Sequence, residues 1–136
     1  MTGSFPRRIG MALAFALLTA VGVPARAADE AGGALAHVVF FTLKDHSQAS
    51  RMKMIDACKT YLTGHDGVLS FSVGTIAEDV QEPVSDRDFD VAIHVVFRDK
   101  KASDAYQVHP RHKKFIEENK GSWAKVRVFD SYLAKP

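Results

Sequence analysis

The 136-residue sequence predicts one small α+β domain running strand, helix, strand, strand, helix, strand, behind a leading segment that is not part of the fold. Three observations lead there. Dense β-branched and aromatic runs recur at residues 37–43, 68–76, 90–97 and 126–133. Two intervening stretches carry apolar residues at helical spacing. The N-terminus is basic, then apolar, then small.

That leading segment reads as a secretory signal peptide. Arg7 and Arg8 form a positive head, residues 9–23 are almost wholly apolar, and Ala25-Arg26-Ala27 offers a cleavage site, so the signal spans residues 1–27. Its apolar run is too short for a comfortable transmembrane span, and no cysteine lies near the cut to take a lipid. The expected product is periplasmic or secreted, with no stable membrane association after cleavage. Removing Arg7, Arg8 and Arg26 from the 18 basic residues leaves 15 against 16 acidic ones. The net charge of the mature part is therefore −1, and no basic stripe remains for nucleic acid. Cys58 is the only cysteine, which excludes an intramolecular disulfide.

Residues 28–35 are mostly small and polar and form a flexible lead-in; the domain proper spans 36–134. Residues 37–43 make the first strand. Ser47 caps a helix running to about Leu62, with Met54, Ile55, Cys58, Tyr61 and Leu62 inward and Arg51, Lys53, Asp56 and Lys59 away from that face. Gly64 closes it, and a second strand follows at 68–76 with Leu69, Phe71 and Val73 on one face. Residues 78–88 are acidic and aperiodic, a long exposed loop. The third strand places Val91, Ile93, Val95 and Phe97 on one face. A short helix at 99–108 turns Ala102, Ala105, Tyr106 and Val108 inward; Pro110 breaks it, and a second piece runs through Glu118. Residues 126–133 form the last strand.

This order is the ferredoxin-like plan, a four-stranded antiparallel sheet with helices on one face. The first and third strands are apolar on both faces, whereas a sheet with one free face shows polar residues there. No segment is left over to cover the second face. A second copy of the chain is the economical cover, giving a two-fold dimer whose sheets build a shared α+β barrel. A charge at Val39 is then expected either to split the dimer or to unfold the subunit.

The candidate chemistry lies in Tyr106-Gln107-Val108-His109-Pro110-Arg111-His112. Tyr106 and His109 are three apart and can share a helix face, while Pro110 re-aims the chain so that His112 begins the new helix. Backbone N–H groups there disfavour its imidazolium form. A neutral imidazole beside a phenol suits general-base chemistry at neutral pH. His37 shares a strand face with Val39 and Phe41 and can line the same cavity. The bland alternative is that His109 and His112 cap a broken helix and Tyr106 is core. His46 and His65 read as solvated turn residues, and His94 as a satisfied structural histidine in mid-strand. His109 and His112 do not make a metal pair: no cysteine lies nearby, and no carboxylate at helical spacing supplies a third ligand.

Over residues 37–133 the chain resembles the stress-responsive α/β-barrel (Dabb) family. The resemblance rests on His37-Val38-Val39-Phe40-Phe41, Phe97-Arg98-Asp99, Tyr106 with His109-Pro110-Arg111-His112, and Val128-Phe129-Asp130, in that order. It implies a ferredoxin-like subunit that forms a homodimer through its sheets, and it implies no cofactor. By similarity to a plant polyketide cyclase of this family, His112 would be the catalytic base, Tyr106 the oxyanion donor and His37 an active-site histidine. Val39, Phe41 and His109 are then expected ligand-binding neighbours, around a cavity open beside residues 78–88. Three readings follow: an exported dimer binding a small apolar or aromatic ligand; an enzyme, either a lyase or cyclase or a cofactor-free monooxygenase; and a structural dimer whose cavity is filled by Phe40, Phe41, Phe71, Phe97 and Phe129.

Overall fold

The computed structural model describes residues 33–134. The signal segment 1–27 and most of the lead-in lie outside the described residues. The chain forms β1 (Leu35–Leu43), α1 (Gln48–Leu62), β2 (Val68–Thr75), β3 (Val91–Phe97), α2 (Lys100–Val108), α3 (Pro110–Asn119), a short 3₁₀ turn (Lys120–Ser122) and β4 (Trp123–Tyr132). The sheet order is β2-β3-β1-β4 with every neighbouring pair antiparallel, the ferredoxin-like arrangement.

The helix starts follow from local chemistry. The Ser47 hydroxyl accepts the Ser50 N–H at 3.2 Å, and the Asp99 carboxylate accepts the Ala102 N–H at 2.7 Å. His109 serves two helices at once. Its own N–H donates to the Tyr106 carbonyl at the end of α2, and its Nδ1 accepts the Arg111 N–H at 3.1 Å, one residue past Pro110 at the start of α3. Gly67 has φ +78, and a Cβ there would lie 2.4 Å from that of Ala102. Glycine is required for the turn and for its close approach to α2.

The helices pack on one face of the sheet. Leu35, Val39, Phe41 and Leu43 of β1 and Val91, Ile93, Val95 and Phe97 of β3 meet Met54, Ile55, Cys58 and Leu62 of α1, together with Ala102, Tyr106 and Phe115. Val39 and Phe41 are 4% and 3% exposed, so they are core beneath the helices and belong neither to a cavity wall nor to the outer sheet face. The opposite face carries Val38 and Phe40 of β1, Val96 of β3 and Phe129 of β4, with Ser70 and Ser72 of β2. His94 lies on this face too, exposed, with Nδ1 at 3.3 Å from the Ser72 hydroxyl.

Several side chains depart from their expected places for identifiable reasons. Asp90, at the foot of β3, is 1% exposed. It accepts the Leu43 N–H at 2.7 Å and lies 2.9 Å from His46 Nδ1 and 3.0 Å from Arg51 Nε. Arg51 is therefore drawn inward, bridging on to Glu78 at 2.6 Å. Leu69 is exposed because a register shift between Val68 and Ser70 turns it out of the alternation. Ala105 and Val108 are exposed, and Ser103 takes an inward place beside Ala102 and Tyr106. Apart from Glu78, which pairs with Arg51 of α1, the loop 78–88 makes its contacts with β1, β4 and the outer face. Asp86 pairs with Arg127, and Asp88 with Lys125 at 2.8 Å, while Phe89 packs edge-on against Phe40 on the outer face.

Candidate functional site: a histidine cluster beside an open groove

The helices cover β2, β3 and β1 but only the Trp123 end of β4, where the ring packs against Phe115 and its Nε1–H meets Met54 Sδ. Opposite the buried β1 residues Phe41, Val39 and Leu35 stand Val126, Val128 and Tyr132, which are 39%, 49% and 56% exposed. Between this row and α2 lies an open groove of about 550 Å³. Leu35, Val128 and Tyr132 form its apolar wall; Lys100, Ser103, Asp104 and Gln107 of α2 form the opposite side. His37 and Asp130 lie across from each other in the β1–β4 register and sit in the groove, with His37 Nδ1 2.6 Å from Asp130 Oδ1.

Behind His37 the rings crowd around Tyr106. The His112 ring centroid is 4.5 Å from that of Tyr106, His65 is 4.9 Å away and His37 is 6.3 Å away. His109 meets His65 edge-on, ring centroids 4.5 Å apart. The structure thus gathers Tyr106, His112 and His37. It divides them between spaces, because His37 lines the groove whereas Tyr106, His65 and His109 line a smaller cavity with Gly64, Asp66 and Ala105. His112 lines neither of these two. His109, expected as a ligand contact beside His37, is on the far side of Tyr106 and is engaged as the cap described above. The groove opens between α2 and β4, away from the 78–88 loop.

Burial favours the neutral forms of His112, His65 and Tyr106. Burial pulls His112 below its ordinary value, despite its Nδ1–H donating to the Gln107 carbonyl at 3.2 Å, and the neighbouring histidines add to the depression. His65, expected to be solvated, is 8% exposed. The turn at Gly64 folds it back under α1, where Nε2–H donates to the Tyr61 carbonyl at 2.8 Å. Burial lowers it as well, with His109 and Arg111 contributing. Burial pushes the Tyr106 phenol above its ordinary value, and its hydroxyl is enclosed without a hydrogen-bond partner among the described residues. Burial likewise takes the Cys58 thiol up to about 12, so it is no nucleophile. Among the described residues no set of three His, Cys, Asp or Glu side chains is placed to hold a metal ion.

A pH dependence follows from the two depressed histidines. Just below the ordinary value of 6.5, the unfolded chain binds protons at His65 and His112 that the folded chain does not. Stability should therefore decline as pH falls below about 6.5, with both groups neutral above it. Thermal melts across pH 7 to 5 measure this, and a His65→Gln, His112→Gln double variant should show a flatter curve. An equally steep curve in the variant would contradict it.

Sequence reasoning did not find Asp130 as a partner of His37. The only local signal is an acid among the apolar residues of the last strand; its meaning depends on the β1–β4 register. Ser103 and Gln107 on the groove wall had no signal beyond their place on α2.

The fold and the cluster define a ferredoxin-like α+β domain with a histidine-lined groove at one sheet edge. The chain belongs to the Dabb family, the stress responsive A/B barrel domain, which matches residues 35–133. Among solved structures it is similar to a Dabb family protein with a ferredoxin-like fold from Mesorhizobium loti, at 24% identity and TM-score 0.64 over 76% of this chain and 99% of that one. A dimeric ferredoxin-like protein of unknown function from Jannaschia sp. matches at 22% identity and TM-score 0.60, covering 74% of this chain and 100% of that one. A hydroxynitrile lyase from Passiflora edulis matches at 19% identity and TM-score 0.62, covering 77% and 97%. No curated protein matches the chain in sequence.

Proposed function

We propose that this is an exported, homodimeric Dabb protein that binds a small apolar or aromatic ligand in the groove between α2 and β4. The groove itself carries the reading. Its volume of about 550 Å³ lies within the usual range for small-molecule sites. It has an apolar wall and one convergent polar pair, His37 with Asp130. None of the five phenylalanines expected to fill a cavity lines this groove: Phe41 and Phe97 are in the core, Phe71 packs against it, and Phe40 and Phe129 are on the other face of the sheet. The dimer is supported by the apolar outer face of Val38, Phe40, Val96 and Phe129, and by structural neighbours described as dimeric. Export rests on residues 1–27.

A second reading, lyase- or cyclase-type chemistry with His112 as base and Tyr106 as donor, is favoured by the enclosed, unpartnered Tyr106 hydroxyl beside His112. It requires a ligand to reach past His37.

Titration with 1-anilinonaphthalene-8-sulfonate tests the groove. Binding should enhance its fluorescence with the unmodified protein, and Val128→Trp, which fills the groove from its half-exposed wall, should abolish that response without lowering the melting temperature. An unchanged response in Val128→Trp would place the probe elsewhere and defeat the reading.

A further inference from the structure

Asp130 has no assigned role, yet its Oδ1 lies 2.6 Å from His37 Nδ1. A carboxylate only accepts, so the ring must carry its hydrogen on Nδ1. The carbonyl of Gln107 imposes the same arrangement on His112. The two histidines nevertheless differ in access, because His37 lines the groove and His112 does not. No hydrogen bond to His37 Nε2 is present among the described residues, and His37 itself is 6% exposed.

We propose that Asp130 is a positioning residue that fixes the tautomer of His37, so that the groove offers its occupant a bare Nε2 lone pair and selects ligands whose head is a hydrogen-bond donor, such as a phenol or an enol. The geometry supplies the selection. The apolar wall of Leu35, Val128 and Tyr132 takes the hydrocarbon part, and Nε2 accepts the O–H. A ligand without that proton leaves the lone pair facing an apolar group. The Asp130 side chain is half exposed, so its contribution lies in orientation more than in charge. This inference rests on the groove reading above for its ligand, but not for the tautomer.

The experiment has two arms on the same protein. Long-range ¹H–¹⁵N spectra of the imidazoles should show His37 protonated at Nδ1 and bare at Nε2. Asp130→Ala should mix or invert this pattern; Asp130→Asn, whose amide oxygen still accepts, should retain it. In parallel, binding of 2-naphthol is compared with that of 2-methoxynaphthalene. The naphthol should bind about tenfold tighter, the value of one net hydrogen bond at the upper end of its range. That preference should vanish in Asp130→Ala and persist in Asp130→Asn. A His37 ring protonated at Nε2 in the unmodified protein, or a naphthol preference indifferent to Asp130→Ala, would overturn the proposal. If neither probe binds, the groove reading fails and takes the ligand half of the inference with it. The nitrogen spectra would still decide whether Asp130 sets the tautomer.

Discussion

Val39→Asp should unfold the subunit, whereas Phe40→Asp, one residue along, should leave it folded and monomeric. Val39 is 4% exposed beneath the helices, in the core with Phe41 and opposite Ile93 of β3. A carboxylate there has no partner, and an uncompensated buried charge costs about 3–5 kcal/mol. Domains of this kind have only about 5–15 kcal/mol in total, so most of the stability goes. Phe40 points to the other side of the sheet, where it packs edge-on against Phe89 and Phe129. A charge there remains reachable by water in a monomer but not between two sheets. Circular dichroism with sedimentation equilibrium separates the two outcomes. A folded, dimeric Phe40→Asp protein would remove the outer face from the interface.

The second large effect is expected at Asp90. Asp90→Ala removes the acceptor of the Leu43 N–H and leaves Arg51, whose side chain is 15% exposed, without its buried partner. A loss of about 3–5 kcal/mol is expected, lowering Tm by at least about 12 °C at roughly 4 °C per kcal/mol for a domain of this size. Burial raises the Asp90 carboxyl, but the Leu43 N–H, His46 and Arg51 together hold it below its ordinary 3.8. The stabilisation is thus fully present above that value and is lost as pH falls through the lower folded one. Asp90→Asn keeps an acceptor for Leu43 and should show a smaller Tm loss with a shallower acid limb. A Tm within a few degrees of the unmodified protein for Asp90→Ala would contradict this.

The element order and the two-faced strands were legible because strand and helix periods leave separate marks in sequence. Which face of β1 receives the helices was not. Alternation groups His37, Val39 and Phe41 together, but only the packing of α1 and α3 makes Val39 and Phe41 core while His37, near the end of the strand, meets the groove. The cluster was partly legible. Tyr106 and His112 do lie together across the Pro110 break, while His65 was hidden because a turn residue gives no sign that a positive-φ glycine will fold it under a helix. Asp130 was out of reach for a different reason. It acquires meaning only from a strand register linking residues 93 apart in sequence, and no local pattern encodes that pairing.

Native mass spectrometry of the protein recovered after export, from cells expressing the full-length chain, distinguishes an exported ligand-carrying dimer from an empty single chain. Two chains are expected, each beginning near Ala28, carrying a small-molecule adduct that is absent from Val128→Trp. A single chain without adduct, stable at micromolar concentration, would contradict it.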